Sequence, residues 1–197
     1  MPGFVLDFGN VVAFFSHAKA AANLAQLAQT PVDPGEIHAF CFGSPLDHAF
    51  ERGQVTSPHF RETVRQKFTI HASDQEFDTA FADIFQINPS VDGWLDQLKS
   101  EGPLLLLSNT TPLHSDWFLR QFRESLGKFD HLVLSHHVGH RKPEAQVFHQ
   151  CQKLAGLPAS EMVLVDDLED NIAGARKVGW RGVLYHPEVS LNQVLGN

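Results

Sequence analysis

Four polar stretches, far apart in the sequence, carry the side chains that could take part in a reaction. They are Asp7, Ser108-Asn109, Lys142 and Asp166-Asp167. An aspartate that ends a buried strand, as Asp7 does after Phe4-Val5-Leu6, lies at the carboxyl edge of a parallel sheet, where open α/β sheets bind their ligands. Because later apolar runs also end in polar residues, we expect the four stretches to meet at this edge.

The charges of these side chains indicate a site for a cation and a phosphorylated ligand. Carboxylates that lie close together repel one another and raise each other's pKa unless a cation lies among them. Oxygen ligands at a sheet edge suit Mg²⁺, which is usually held by one or two carboxylates together with water and phosphate oxygens. Lys142 and Ser108 would then hold the far side of a bound phosphate. Asp7 would be free to attack phosphorus as a nucleophile.

The composition is typical of a folded globular protein and argues against a nucleic-acid partner. The chain has 197 residues, of which 43% are hydrophobic and 19% charged, so it can form one domain or a core with a small insertion. The formal net charge of −8 disfavours nucleic acid, because Lys and Arg side chains supply most non-specific affinity for phosphates. A small phosphorylated substrate needs only a few local cations and is compatible with this charge.

The sequence offers no pattern of secretion or membrane insertion. Two cysteines, Cys41 and Cys151, are too few for a disulfide framework, so a reducing compartment is the simplest setting. The apolar start is short, contains Asp7 and lacks the basic leader of a signal peptide. No uninterrupted apolar run approaches the roughly 20 residues that span a bilayer. We therefore expect a cytoplasmic protein with no membrane partner.

Strands and helices alternate along most of the chain, which predicts an α/β fold. The first strand is expected within residues 4–12, which contain a break at Gly9-Asn10. Later strands are predicted at residues 103–107, 131–135, 162–165 and 182–185. Helices between and after them are predicted at residues 90–101, 113–126, 143–155 and 171–177. This alternation indicates βαβ units and a parallel sheet between two layers of helices, a three-layer Rossmann-like core.

A block of helices interrupts this alternation after the first strand. The block begins with an alanine-rich helix at residues 17–30, which Pro31 stops. Short helices and two amphipathic helices are predicted at residues 34–42, 45–51, 57–68 and 74–85. We find no strand pattern between about residue 16 and residue 88. The sequence therefore predicts an α/β core of residues 1–15 and 88–197, with residues 16–87 inserted as a helical domain.

The four polar stretches resemble the motifs of the haloacid dehalogenase-like (HAD) hydrolase superfamily. The matching segments are Asp7-Phe8-Gly9-Asn10-Val11, Leu107-Ser108-Asn109-Thr110, Arg141-Lys142-Pro143-Glu144 and Val165-Asp166-Asp167-Leu168-Glu169-Asp170-Asn171. The resemblance covers essentially the whole chain, and the helical insert is similar to the small cap domain of the family. The first motif is most similar to the branch that resembles bacterial α-D-glucose-1-phosphate phosphatases.

The resemblance implies roles for some of the matching residues. Asp7 would be the nucleophile that forms an aspartyl-phosphate intermediate, and it would also bind Mg²⁺. The backbone carbonyl of Gly9 and the Asp167 carboxylate would be further metal ligands. Asp166 would either bind the metal directly or support it from the second layer of contacts. The residues that would bind the phosphoryl group are Ser108, Asn109 and Lys142.

The first motif departs from the family pattern at Gly9. Phosphatases of this family usually carry a second Asp two residues after the nucleophile, where it acts as general acid and base. Such catalysis typically contributes about 10²–10⁴-fold. An acetal phosphate with a good leaving group needs less protonation, and water or a cap side chain would supply the rest. The cap residues expected to face the substrate are His17, Glu51 and Arg52, the first and second of which are candidates for this proton transfer.

Two alternatives to a phosphatase follow from the same departure. A 2-haloacid dehalogenase also lacks the second Asp, but it usually has an aromatic residue there and no metal requirement, so Gly9 and Asp166-Asp167 fit it less well. The other alternative is a non-catalytic binding protein that kept the fold. The leading expectation is a Mg²⁺-dependent phosphatase of a small phosphorylated metabolite, with sugar phosphates as one candidate class. It would act as a monomer or a homodimer.

Overall fold

A five-stranded parallel sheet forms the centre of the structure, a computed structural model that describes residues 1–196. The strands in this part of the chain are β1 (Gly3–Leu6), β2 (Ala13–Phe15), β3 (Phe85–Ile87), β4 (Leu104–Ser108), β5 (His131–Leu134), β6 (Met162–Asp166) and β7 (Arg181–Leu184). The central sheet has the order β5-β4-β1-β6-β7, with every neighbouring pair parallel. The predicted α/β class with a parallel sheet is confirmed.

Helices cover both faces of this sheet. Within the described residues they are α1 (His17–Gln26), α2 (Pro34–Cys41), α3 (Pro45–Glu51), α4 (Ser57–Phe68), α5 (Asp74–Ala82), α6 (Pro89–Asp92), α7 (Leu95–Glu101), α8 (Pro112–Gln121), α9 (Arg123–Leu126), α10 (Ser135–Val138), α11 (Ala145–Ala155), α12 (Glu169–Lys177) and α13 (Leu191–Leu195). Apolar residues of α7, α8 and α13 pack on one face, and those of α11 and α12 pack on the other. The three-layer arrangement follows from these two contacts.

The central strand β1 is apolar because both of its faces are buried. Phe4 and Leu6 contribute to the hydrophobic cluster on one face of the sheet, and Val5 contributes to the cluster on the other face. All three are fully buried. Successive side chains of a strand point to opposite faces, so a strand covered on both sides must be apolar at every position. Asp7 follows directly and therefore lies at the carboxyl edge of the sheet.

Helices α1 to α5 pack around a separate hydrophobic cluster, which is rich in phenylalanine. Each of these helices begins after a residue whose side chain accepts a backbone N–H from the first turn, as expected of a helix N-cap. The capping residues are Ser16, Asp33, Ser44, Thr56 and Ser73. We call the segment that contains α1 to α5 the helical block.

The helical block is joined to the sheet by a short antiparallel ribbon of β2 and β3, with Ala13 opposite Ile87 and Phe15 opposite Phe85. The expectation that no strand lies between residues 16 and 88 was therefore wrong. β3 has only three residues, so it is too short to show the alternation that marks a strand in sequence. Its pairing with β2 is a tertiary contact between distant parts of the chain.

Several predicted elements differ from the structure at their ends. The first strand ends at Leu6, because Gly9 and Asn10 form a turn in which Asn10 has a positive φ of 57°. The helix expected at 90–101 is divided into α6 and α7 at Gly93-Trp94, and the one expected at 113–126 is divided into α8 and α9 at Phe122. At Phe122 the backbone leaves the helical conformation, with φ −113° and ψ 30°.

The carboxyl-terminal segment contains a helix that was not predicted. Ser190 and Gln193 form a reciprocal capping box at the start of α13, and Val194 of this helix is buried against the sheet. Asn197, the last residue of the predicted core, lies outside the described residues. Across residues 1–196, none of the helices is long and apolar enough to cross a membrane.

Candidate active site

A cavity of about 220 Å³ lies between the carboxyl edge of the central sheet and the helical block. The sheet side of the cavity includes Asp7, Ser108, Lys142 and Asp167, so all four predicted polar stretches contribute to it. The side formed by the helical block includes His17, Asp47 and Glu51, and Phe15 and Phe85 reach it from the ribbon. Parallel strands of one sheet end at the same edge, which explains how residues so distant in sequence meet here.

Lys142 lies between two buried carboxylates. Its Nζ is 2.7 Å from Oδ1 of Asp7 and 2.7 Å from Oδ2 of Asp166, and it also donates to the carbonyl of Leu107 at 3.1 Å. These three acceptors match the three N–H donors of an ammonium group. Lys142 makes all three hydrogen bonds to the protein, and its expected contact with the phosphoryl group stays a prediction. The contacts assign it to holding Asp7 and Asp166.

Burial and charge act in opposite directions on this group of side chains. Burial favours the neutral form of Lys142, but the charges of Asp166 and Asp7 outweigh it and raise the Lys142 pKa. Burial raises the pKa of Asp7, Lys142 lowers it, and the charges of Asp166 and Asp167 raise it further. The pKa of Asp167 is also raised, mainly by burial. The cluster therefore has an excess of carboxylates over cations, which a bound cation would relieve.

The carboxylates of Asp7, Asp166 and Asp167 fit a hard divalent cation. Each offers an oxygen, and these oxygens all lie within 4.8 Å of one another. Oxygen ligands of this kind suit Mg²⁺. Asp166 is fully buried, and its oxygens already accept from Lys142, from the N–H of Leu168 and from Nδ2 of Asn171. Two roles were left open for Asp166. Because its oxygens already accept these hydrogen bonds, the contacts favour a role in holding neighbouring groups of the metal site over direct binding of the metal.

The turn after Asp7 leaves no room for a side chain at position 9. A Cβ added to Gly9 would lie 2.7 Å from Cε1 of Phe15 in the ribbon, closer than carbon atoms approach without displacement. Asn10 adopts the left-handed conformation, which asparagine tolerates better than most residues, and its Nδ2 donates to Oδ2 of Asp167 at 2.9 Å. The turn thus brings the Gly9 backbone and the Asp167 carboxylate into one site.

Asn109 uses its side chain on the backbone of Lys142. Its Oδ1 accepts the Lys142 N–H at 2.8 Å, and its Nδ2 donates to the Lys142 carbonyl at 3.0 Å. This pair of hydrogen bonds fixes the segment that carries Lys142 beside the end of β4. Asn109 also borders the cavity, and its expected contact with the phosphoryl group stays a prediction. Ser108 is buried and borders the cavity, as predicted.

The three residues expected to face the substrate from the helical block have different positions. His17 borders the cavity and stacks on Phe42, with ring centroids 4.1 Å apart. Burial, with a smaller effect of His38, lowers the His17 pKa to about 4. Glu51 also borders the cavity. Arg52 does not: its guanidinium forms an ion pair with Glu144 of the sheet domain, because the end of α3 packs against that domain.

Glu51 of the helical block forms an ion pair with Arg141 of the sheet domain. Its Oε2 lies 2.8 Å from Nε of Arg141, although neither atom forms a well-aligned hydrogen bond with any of the described residues. Burial raises the pKa of Glu51 to about 7, and the nearby Asp47 raises it as well, whereas Arg141 lowers it. Glu51 is therefore a buried carboxyl group that binds its proton more tightly than a carboxyl group in water does.

Three charged or titratable residues of the cavity had no predicted role: Asp47, Arg141 and His114. Asp47 and Glu51 are four residues apart on α3, and this spacing places both on one helical face, which is a signal present in the sequence. Arg141 precedes Lys142 in the same motif. His114 lies parallel to the Phe81 ring at 4.4 Å, and burial lowers its pKa to about 3. This packing depends on the tertiary fold and has no signature in the sequence.

Two known proteins are similar to this chain over most of its length. The chain is 28% identical over 202 residues to the drimenol cyclase drtB of Aspergillus calidoustus, covering 98% of this chain but only 35% of that protein. It is 25% identical over 192 residues to the D-ribitol-5-phosphate phosphatase of Bacteroides thetaiotaomicron, covering 93% of this chain and 90% of that enzyme. The chain thus spans about a third of the first relative and nearly all of the second.

A solved structure shares the fold over nearly the whole chain. This HAD family enzyme of Bacteroides thetaiotaomicron, in complex with magnesium and inorganic phosphate, superimposes with a TM-score of 0.84 at 21% identity and covers 96% of both chains. The family model of haloacid dehalogenase-like hydrolases matches residues 2–179. The match includes all four motifs, so the predicted superfamily is confirmed. The chain therefore belongs to the haloacid dehalogenase-like hydrolases.

Proposed function

We propose that this protein is a Mg²⁺-dependent phosphatase that hydrolyses a small phosphomonoester through an aspartyl-phosphate on Asp7. The observation that carries the proposal is the contact of Asp7 with the ammonium group of Lys142 beside the cluster of Asp7, Asp166 and Asp167. A nucleophilic carboxylate needs this cationic environment, because it must approach a phosphate that is itself negatively charged.

The proposed reaction has two displacement steps at phosphorus. In the first, a carboxylate oxygen of Asp7 bonds to phosphorus, the bond from phosphorus to the alcohol oxygen breaks, and the alcohol leaves with a proton. In the second, water attacks phosphorus, gives up a proton and releases phosphate from Asp7. Lys142 and the N–H of Phe8, which is 2.6 Å from Oδ1 of Asp7, hold the carboxylate in one orientation through both steps.

The residues that would hold Mg²⁺ are Asp7, Asp167 and the backbone carbonyl of Gly9, with Asp166 supporting them. Bound Mg²⁺ would neutralise the negative charge that the carboxylates and the substrate phosphate bring together. Ser108 would contact the phosphoryl group through its hydroxyl. The Asn109 side chain would act indirectly, since it fixes the backbone of Lys142.

Residues 16–87 would act as a cap over the α/β core of residues 1–15 and 88–197. The helical block forms one side of the cavity, and its closure over the substrate would exclude bulk water. A cavity of about 220 Å³ suits a small substrate. Sugar and sugar-alcohol phosphates are the favoured class, supported by the relative named for D-ribitol 5-phosphate and by polar groups of Asp47, Glu51 and Arg141 on the cavity wall.

The test is phosphate release from a panel of phosphorylated metabolites, measured with Mg²⁺ and with a chelator. Wild-type protein should release phosphate only with Mg²⁺, and Asp7→Asn should abolish release. Asp170→Asn, the control, removes an exposed carboxylate from the motif that also contains Asp166 and Asp167, and it should keep wild-type turnover. Absence of release from every compound by a folded, Mg²⁺-binding protein would contradict the proposal. Metal-independent release of halide from 2-haloacids would favour the dehalogenase alternative, and binding without turnover would favour the non-catalytic one.

A further inference from the structure

The phosphatase proposed above needs a proton donor for the departing alcohol, and position 9 cannot supply it. The ring of Phe15 fills the space that a side chain at Gly9 would enter, with Cε1 at 2.7 Å from an added Cβ. The attacking and leaving oxygens of a phosphoryl transfer lie roughly in line with phosphorus. Because Asp7 attacks from the sheet side of the cavity, the alcohol leaves toward the helical block. The donor is therefore sought on that side.

Several titratable side chains border the cavity away from the Asp7 cluster. Most of them already take part in hydrogen bonds or aromatic stacking within the protein. His114 has Nε2 3.3 Å from the carbonyl of Phe81, and its ring is stacked in the aromatic cluster. His17 is stacked on Phe42. Burial lowers their pKa values to about 3 and 4, so both imidazoles are uncharged near pH 7 and are poor acids. Asp47 accepts the N–H of Gly43 at 2.7 Å, which holds its carboxylate at the start of α3.

Glu51 differs from these groups in geometry. Its side chain is 13% exposed and borders the cavity from the helical block, the side toward which the alcohol would leave. Its Oε2 is close to Nε of Arg141 but is not engaged in an aligned hydrogen bond with any residue from 1 to 196. We propose that Glu51 is the general acid and base of the reaction, protonating the departing alkoxide and then accepting a proton from the attacking water.

The surroundings of Glu51 are consistent with both roles. The charged groups that act on it are Asp47 from α3 itself, Arg52 from the end of the same helix, and Arg141 and Lys142 from the sheet domain. Burial and Asp47 favour the protonated form, and the three cations oppose them, with a resulting pKa of about 7. An acid–base catalyst works best when its pKa lies near the working pH, because both protonation states are then available.

The proton balance closes over one turnover. When the bond between phosphorus and the alcohol oxygen breaks, the Glu51 proton passes to that oxygen and leaves the carboxylate of Glu51. In the second step this carboxylate accepts a proton from the water that bonds to phosphorus, which restores protonated Glu51 and frees Asp7. This role rests on the proposed phosphatase function, since it assigns the proton transfers of the same reaction.

The test compares leaving groups in a single turnover of wild-type protein and Glu51→Gln, with Mg²⁺ present. Ribitol 5-phosphate has an alkyl leaving group that needs a proton, whereas 4-nitrophenyl phosphate releases a stable phenolate. Glu51→Gln should slow alcohol release from ribitol 5-phosphate by about 10²–10⁴-fold. In Glu51→Gln the rate of the first turnover of 4-nitrophenyl phosphate should change little. Later turnovers should be slow, because the attack of water on the aspartyl-phosphate lacks its base. Glu144→Gln, which breaks the other ion pair between α3 and the sheet domain, is the matched control and should leave both rates unchanged.

Each outcome separates the two proposals. Failure of the wild-type protein to hydrolyse either ester contradicts the phosphatase function itself. Wild-type turnover that requires Asp7, together with an equal effect or no effect of Glu51→Gln on the two first turnovers, overturns the role of Glu51 alone. If Glu51→Gln does not fold, the pH dependence of the wild-type rates is the test. The rate of ribitol 5-phosphate cleavage should fall above about pH 7, where Glu51 loses its proton. The first turnover of 4-nitrophenyl phosphate should not fall. Parallel profiles for the two esters would overturn the role.

Discussion

Nζ of Lys142 lies 2.7 Å from Oδ1 of Asp7, and both side chains are buried. The same nitrogen is 2.7 Å from Oδ2 of Asp166, so a single cation separates two carboxylates. Removing water from these charges is costly, and the geometry must compensate for that cost. Lys142 thus compensates two buried carboxylates and opposes the rise in the pKa of Asp7 that burial causes.

Lys142→Met should destabilise the protein by about 3–5 kcal/mol, because it leaves two carboxylates buried without their cation. The loss should be larger at high pH, since the pKa of Asp7 is raised and its carboxylate can become neutral by binding a proton at lower pH. Urea unfolding at two pH values measures this. Lys153→Met removes an exposed lysine from α11 and should change the free energy of unfolding by no more than about 0.5 kcal/mol. Equal stability of Lys142→Met and the wild type would show that the ion pairs contribute nothing.

Gly9→Asp, which installs the residue usual in the family, should fail to increase turnover. The new Cβ would meet Phe15, and overpacking of this kind costs about 1–3 kcal/mol. Phe15→Ala removes the obstacle, so the double variant Gly9→Asp, Phe15→Ala should lose less stability to urea than the sum of the losses in the two single variants. A double-mutant cycle measures this coupling. Strict additivity would mean that Phe15 does not limit position 9.

The polar stretches and the parallel sheet could be predicted because both depend on local patterns. Apolar runs such as Leu104 to Leu107 identify buried strands, and parallel strands bring their carboxyl ends to one edge. The hydrogen bonds of Lys142 and Asn109 could not be predicted, since each depends on where a distant backbone or carboxylate lies in space. The pairing of Phe15 with Phe85 in the ribbon was missed for the same reason. The ring of Phe15 lies against Gly9, where it occupies the space that a side chain would need.

Asn10→Gly should weaken Mg²⁺ binding by about 10–100-fold, since Asp167 loses the side chain that orients it. Glycine keeps the positive φ of residue 10 without strain, so the backbone of the turn is preserved. Asn10→Ala should show the same loss of affinity with an additional cost of about 1–2 kcal/mol for the left-handed conformation. Titration calorimetry with Mg²⁺ and urea unfolding separate the two effects. Wild-type affinity in Asn10→Gly would contradict the role of Asn10 in orienting Asp167 for metal binding.

Glu51 should make the folded protein less stable as pH rises from about 4.5 to about 7. Its pKa is near 4.5 when unfolded and about 7 when folded, so the folded state binds the extra proton in this window. The loss amounts to roughly 3 kcal/mol. In Glu51→Gln this part of the pH dependence should vanish, as measured by urea unfolding at several pH values. Glu101→Gln, an exposed substitution, is the control. An unchanged pH dependence in Glu51→Gln would mean that Glu51 titrates normally.

The most direct test of the central claim is a search for the phosphoryl group on Asp7 during turnover. Protein mixed with Mg²⁺ and its best substrate is quenched rapidly in acid, digested and examined by mass spectrometry. The account predicts that the peptide containing Asp7 carries one phosphoryl group, which maps to Asp7 and disappears in Asp7→Asn together with phosphate release. Phosphate release with an unmodified Asp7 peptide, retained in Asp7→Asn, would contradict the account.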